Sequence, residues 1–196
     1  MIFYIASRFD LPEKFEDFIY LSQVTQQECI SDATEFWRRN KGRCNGAMYW
    51  QVNDCWPGCS SAGLEYYGNY KALQYTARRF NAPVSVSVED GNEQTKIFAI
   101  NDTLSDRRLV VRYSLFDFTR GVRETGKVPL TVPAGEVSEV FVFDMKKLKA
   151  KFDFKRTGLL AELVDGEKVD SRKTVLFGKE KYLDLPKASL SLSTAL

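Results

Sequence analysis

The sequence predicts an α/β segment of barrel type followed by an all-β immunoglobulin-like sandwich. Three observations lead there. A long amphipathic helical stretch precedes a short apolar run, the hydrophobic period switches from helical to two-residue near Pro83, and turn dipeptides punctuate the remainder at short intervals.

The helical pattern covers residues 12–40. At about 100° per residue, Phe15, Phe18, Ile19, Cys29, Ile30, Ala33, Phe36 and Trp37 share one face, and Glu13, Asp17, Glu28, Glu35 and Arg38 lie opposite. Pro12 suits the first turn, where a missing N–H is no loss. Arg38, Arg39 and Lys41 put positive charge at the negative end of the helix dipole, and Gly42 is a natural stop. Glu28 and Glu35 are expected on the solvated face.

Residues 46–52 (GAMYWQV) are apolar or aromatic on both alternating faces, which suits a strand buried on both sides of a parallel sheet. The loop NDCWPGCSSAGLEYYG follows, and then a second helix over residues 70–80. Helix, buried strand, long loop and helix is the order of an α/β barrel unit.

After Pro83 strands are expected at 84–89, 96–101, 109–117, 122–130, 137–144, 158–164 and 168–177. Asp90-Gly91, Asn101-Asp102, Arg120-Gly121, Pro133-Ala134-Gly135 and Asp165-Gly166 separate them. Seven short strands at this spacing are the number of an immunoglobulin-like sandwich, and Asp165-Gly166 marks a two-residue hairpin. The tail, residues 181–196, is expected to be loose. The basic run MKKLKAKFDFKR reads as a solvated inter-strand helix or loop pinned to the sandwich by Phe152 and Phe154. Tyr113, Phe116 and Phe118 read as core.

Composition narrows the function. A net charge of +2 over 196 residues argues against nucleic acid or an anionic membrane as partner. The absence of histidine removes His-dependent triads, most zinc-hydrolase sites and an imidazole switch. No cofactor and no metal site are expected. The four cysteines, Cys29, Cys44, Cys55 and Cys59, sit in the first third without CxxC spacing and read as reduced thiols. The opening MIFYIASRF is too short and lacks the flanks of a signal peptide, so the sequence reads as starting inside a domain. A cytoplasmic location is the expectation.

Three stretches carry a family resemblance: LSQVTQQECISDATEFWRRNKGRC, GAMYWQVNDCWP and YYGNYKALQYTARRFNAPV. Together they resemble the end of the catalytic barrel in β-mannosidases of glycoside hydrolase family 2, with the likeness running from Phe9 to Val84. The resemblance implies that YWQVNDCWP forms the last strand of a (β/α)8 barrel and the loop after it. It also implies that YYGNYKALQYTARRFNAP forms the last helix and the exit. Residues 1–82 would then be the closing piece of the barrel, and 83–180 the sandwich.

In a barrel the working residues lie at the carboxyl ends of strands and in the following loops. Trp50, Asn53, Asp54 and Trp56 occupy that place. An indole offers a flat surface to the C–H face of a sugar, and Asn or Asp offers hydrogen bonds to hydroxyls. By resemblance these four wall the subsite for a terminal mannose of a β-mannoside or mannose-containing oligosaccharide. Structural roles compete at each position: Trp50 as barrel core, Asn53 and Asp54 as turn caps, Trp56-Pro57 as a packing corner.

Retaining glycosidases need two carboxyl groups about 5–5.5 Å apart. In this family both are glutamates ahead of the matched stretch, so no catalytic residue is assigned here. Asp54 and Glu65 share a loop, but nothing gives them opposed proton affinities. The sequence also carries Ser61-Ala62-Gly63 where the family usually has a Trp-Ser-Ser type run, which bears on specificity. The first 80 residues hold one barrel strand, so the apolar helix face and strand edges are expected to dock on the sandwich, self-associate, or stay poorly packed. A non-catalytic carbohydrate-binding or structural module is the alternative function.

Overall fold

Residues 2–189, 191 and 193 are described in the computed structural model of the chain. Two-residue alternation becomes a sandwich of seven antiparallel strands: β1 (Val84–Asp90), β2 (Gln94–Asn101), β3 (Arg107–Asp117), β4 (Gly121–Val132), β5 (Val137–Asp144), β6 (Thr157–Asp165) and β7 (Lys168–Leu176). One sheet runs β1-β2-β5 and the other β4-β3-β6-β7. Asp165 pairs with Lys168 across the expected hairpin, and Gly166 takes φ +60, which a side chain would resist.

The core lies between the sheets, where Val86, Val88, Ile97, Ala99, Val111, Leu115, Leu159, Ala161 and Leu163 are buried. Each fully buried Leu or Ile stabilises the fold by roughly 1.5–3 kcal/mol. Tyr113 packs against this core with Phe141 and Phe143 at ring separations of 4.7 and 5.2 Å. Gly126 is required beside it, because a Cβ there would lie 2.2 Å from the Tyr113 ring. Asn101, fully buried, donates to the carbonyls of Ser105, Val132 and Pro133 and so closes the turn after β2. The basic run forms a helix that we number below as α4 (Met145–Lys151), capped by Asp144, whose carboxylate accepts from Lys147 N at 3.0 Å. Phe152 and Phe154 pack on the core, with Phe154 stacked on Phe177 at 4.6 Å.

Three helices precede the sandwich: α1 (Ile2–Arg8), α2 (Phe15–Arg39) and α3 (Ala72–Phe80). α1 has no counterpart among the expected elements; it buries Ile5, and its Arg8 pairs with Glu28 and Glu180. α2 starts at Phe15, three residues after Pro12, so Pro12 lies in the turn before the helix.

The burial of α2 follows the expectation only in part: Ile30 packs on Leu73, Ala77 and Phe80 of α3, but polar residues are the most deeply buried. Thr25, Ser31, Thr34 and Glu35 are its buried residues, whereas Phe15, Ile19, Phe36 and Trp37 are exposed. The cause is β1. Its sequence Val-Ser-Val-Ser-Val sends Val84, Val86 and Val88 into the core and leaves Ser85 and Ser87 to meet the helix, so the join is polar. Ser87 Oγ donates to Glu35 Oε2 at 2.8 Å, and Lys173 Nζ donates to Glu35 Oε1 at the same distance. Glu35 is therefore buried in the join, not solvated, and Glu28 is half-covered beneath Arg8. Arg38 completes the join by donating to Phe80 O, Ala82 O, Ser85 Oγ and Asp102 Oδ2.

Residues 46–52 do not form the doubly buried strand. The segment is extended but outside any sheet, and Met48 is 98% and Trp50 80% exposed. A parallel strand is made by its neighbours, and among the described residues only the end of this segment has one: Gly63 N donates to Gln51 O at 3.1 Å and Leu64 N to Val52 O at 2.8 Å. Just beyond it, a single parallel bridge joins Asn53 to Leu64. Of the loose tail, residues 190, 192 and 194–196 lie outside the described residues; Glu180–Tyr182 forms one 3-10 turn, and 185–189 are exposed.

Candidate functional site

Loop residues 50–71 are folded on themselves and held by α2. Leu64 N donates to Val52 O at 2.8 Å, Asp54 N to Leu64 O at 3.0 Å and Lys71 N to Gly63 O at 2.9 Å. From α2, Gln26 Nε2 donates to Ser61 O at 2.7 Å, Gln23 Oε1 accepts from Ala72 N at 3.1 Å, and Gln27 meets Thr76. A glutamine stripe on the long helix thus fixes both the loop and the start of α3. The peptide bond between Trp50 and Gln51 is cis.

The four candidate residues divide into two kinds. Trp50 and Trp56, at 80% and 75%, are exposed, so neither is a core residue of the described chain and Trp56-Pro57 is not a packing corner. Asn53 is exposed too, its Nδ2 reaching only Asp54 O at 3.3 Å. Asp54 is buried, and its carboxylate accepts from Ser60 Oγ and from Lys71 Nζ at 3.3 Å. The Ser60 hydrogen bond, followed by the Lys71 hydrogen bond and charge, outweighs desolvation and holds the Asp54 carboxyl below its ordinary value. Asp54 therefore anchors the loop that presents the two indoles.

Ser60 and Lys71 escaped the sequence reading. Local spacing does not join residue 54 to residue 71; the only signal was a lysine opening the KAL stretch beside an otherwise unpaired loop aspartate. Glu65, in the same loop, accepts from Asn69 N at 2.8 Å and from Asn69 Nδ2 at 2.6 Å. Backbone donation from Asn69 and Tyr67 holds its carboxyl below the ordinary value as well. Both loop carboxylates thus favour the charged form.

A separate cleft of about 600 Å³ lies between α2 and β7, lined by Arg8, Glu28, Asp32, Arg39, Lys173 and Glu180. Within it Arg8 pairs with Glu28 and Glu180, and Lys173 with Asp32, and neither indole is part of its lining. Among the described residues no group of three or more His, Cys, Asp or Glu is placed to hold a metal ion.

Comparison with known proteins agrees in sequence and in fold. The family model described as a mannosidase Ig/CBM-like domain matches residues 93–182. A β-mannosidase of Capra hircus is 38% identical over 144 residues, covering 68% of this chain and 16% of that protein. A β-mannosidase of Mus musculus is 35% identical over 164 residues, covering 76% of this chain and 18% of its own length. The crystal structure of the β-D-mannosidase from Dictyoglomus thermophilum superposes with a TM-score of 0.86 at 29% identity, over 94% of this chain and 22% of that one. The chain spans less than a fifth of the length of the two curated relatives. It is a relative of the glycoside hydrolase family 2 β-mannosidases, matching one part of them, and carries their mannosidase Ig/CBM-like domain at residues 93–182.

Proposed function

We infer that the chain is the carboxyl-terminal portion of a β-mannosidase-like retaining hydrolase acting on terminal β-mannosides. In the whole enzyme residues 1–82 would complete the (β/α)8 barrel as its last strand and helices, with 83–180 its immunoglobulin-like sandwich and 181–196 a tail. The superposition on the Dictyoglomus enzyme supports this division, since 94% coverage takes in helices as well as sandwich. So does the distribution of exposed apolar side chains. Phe15, Ile19, Phe36, Met48, Trp50 and Trp56 are bare in the first part, as barrel-facing residues are when few of their neighbours are present.

One observation carries the site: two exposed indoles on a loop pinned by a buried aspartate. Trp50 and Trp56 offer flat faces to the C–H side of a mannose, Asn53 offers hydrogen bonds to its hydroxyls, and Asp54 holds the loop in shape. This portion is not catalytic by itself. A retaining mechanism needs one carboxyl with raised proton affinity beside an ionised one, whereas Asp54 and Glu65 are both lowered. No metal or cofactor enters the reading, nor does nucleic acid or membrane. The exposed barrel edge, with the bare face of α2, is the surface for self-association, and four unpaired thiols suit a cytoplasmic location.

The indole pair equally suits a non-catalytic sugar-binding module. Titrating mannobiose into the purified chain while following tryptophan fluorescence tests the site. A saturable change lost in both Trp50→Ala and Trp56→Ala is expected. A flat titration would remove the sugar from this loop and leave a structural role.

A further inference from the structure

The loop that carries Trp56 is closed at its neck. Asp54 and Ser60 meet through a side-chain hydrogen bond, and Lys71 Nζ straddles them, 3.3 Å from Asp54 Oδ2, 3.2 Å from Ser60 Oγ and 3.4 Å from Ser60 O. The residues immediately inside that neck, one on each side, are Cys55 and Cys59. Both are exposed free thiols, and the chain bends through every residue from 55 to 58.

We propose that Cys55 and Cys59 form an oxidisable dithiol that closes into a disulfide across this neck. A disulfide spans Cα atoms about 4.4–6.8 Å apart. The hydrogen-bonded Asp54 and Ser60 flank the pair at the neck, and the disulfide puts the Cα atoms of Cys55 and Cys59 within that range. The oxidant is a low-molecular-weight disulfide of the glutathione type. One cysteine thiolate attacks a sulfur of glutathione disulfide, the S–S bond breaks, and one glutathione thiolate leaves. The other cysteine thiolate then attacks the protein sulfur of the mixed disulfide and expels the second glutathione. Two cysteine thiols are oxidised, one glutathione disulfide is reduced to two glutathione molecules, and their two thiol protons end on those leaving groups. The ring encloses Trp56, Pro57 and Gly58 and fixes the loop at its tip. Cys29 lies on α2, and Cys44, whose thiol faces Gly46 O at 3.3 Å, lies ahead of the loop, so neither shares this neck.

The experiment treats the whole purified chain with glutathione disulfide, quenches with acid and maps peptides by tandem mass spectrometry. The expected product has lost two hydrogens and gives no backbone fragments between residues 55 and 59. Inside so short a loop the effective thiol concentration is millimolar, so at about 0.1 mM reduced glutathione the ring outnumbers the singly glutathionylated form about tenfold. Cys59→Ser is expected to stop at one glutathione on Cys55, and Cys55→Ser at one on Cys59. Separate glutathione adducts on both cysteines of the unsubstituted chain, or a bridge to Cys44, would overturn the proposal.

Discussion

Lys173 Nζ lies 2.8 Å from Glu35 Oε1, so the last strand of the sandwich is tied by a buried ion pair to the carboxyl-terminal part of α2. Glu35 also accepts from Ser31 and Ser87, and exposed Asp32 lies 3.3 Å from the same ammonium. Glu35→Ala is expected to destabilise the chain by about 2 kcal/mol. Breaking a buried pair costs about 3–5 kcal/mol, and here the loss is reduced because the ammonium keeps some water and Asp32. Urea unfolding checks it, and the double substitution Glu35→Leu with Lys173→Met is expected to recover most of the loss.

The same pair sets an alkaline limit. Burial alone lowers the Lys173 proton affinity, but the charge and hydrogen bond of Glu35, aided by Asp32, raise it above its ordinary value of 10.5. A raised folded value means the stabilisation is complete below pH 10.5 and is lost as pH climbs through the folded value. Unfolding midpoints measured across that range are expected to fall for the unsubstituted chain and to fall less for Glu35→Ala.

Arg38 joins four acceptors on three segments: Phe80 and Ala82 at the end of α3, Ser85 on β1 and Asp102 after β2. Arg38→Ala is expected to cost about 2 kcal/mol, in the range for hydrogen bonds from a charged donor. Arg38→Lys is expected to recover little, since an ammonium cannot present the planar fork that reaches both sides. Amide exchange across α3 and β1 provides the readout.

The sandwich core responds differently. Leu159→Ala empties a fully buried position between the sheets and is expected to cost 2–5 kcal/mol, about the usual range for such a truncation. Leu104, fully exposed in the turn after β2, is expected to change stability by less than about 0.5 kcal/mol when replaced by Ala. Denaturant midpoints separate the two.

Trp50→Ala and Trp56→Ala are expected to leave stability almost unchanged, because both rings are exposed. Asp54→Asn is expected to loosen the loop instead. Its carboxyl is lowered by Ser60 and Lys71, so its contribution is complete above pH 3.8 and disappears as pH falls through the folded value. Acrylamide quenching of tryptophan, followed from neutral to acid pH, reports that release.

The sandwich was legible because each strand declares its own faces. The expected 137–144 is β5 without adjustment, and 84–89 falls one residue short of β1. Turn dipeptides did the rest, with Gly121, Gly135 and Gly166 all at positive φ. The helical part was legible as elements but not as surfaces. Periodicity tells which residues of α2 share a face; it does not tell that beside α3 the helix meets β1, whose Ser85 and Ser87 call for Arg38, Arg39 and Glu35. Residues 46–52 failed for a related reason, since an apolar run becomes a parallel strand only when other strands lie beside it. The indoles were identified from residue type and position, while the brace of Ser60 and Lys71 depends on how the loop closes.

The most direct measurement is hydrolysis of p-nitrophenyl β-mannoside by the purified chain, with mannobiose as a second substrate. The account expects no release above buffer at any pH. Turnover that disappears in Asp54→Asn or Glu65→Gln would contradict it, because it would place a working carboxyl pair inside the loop assigned here to binding alone.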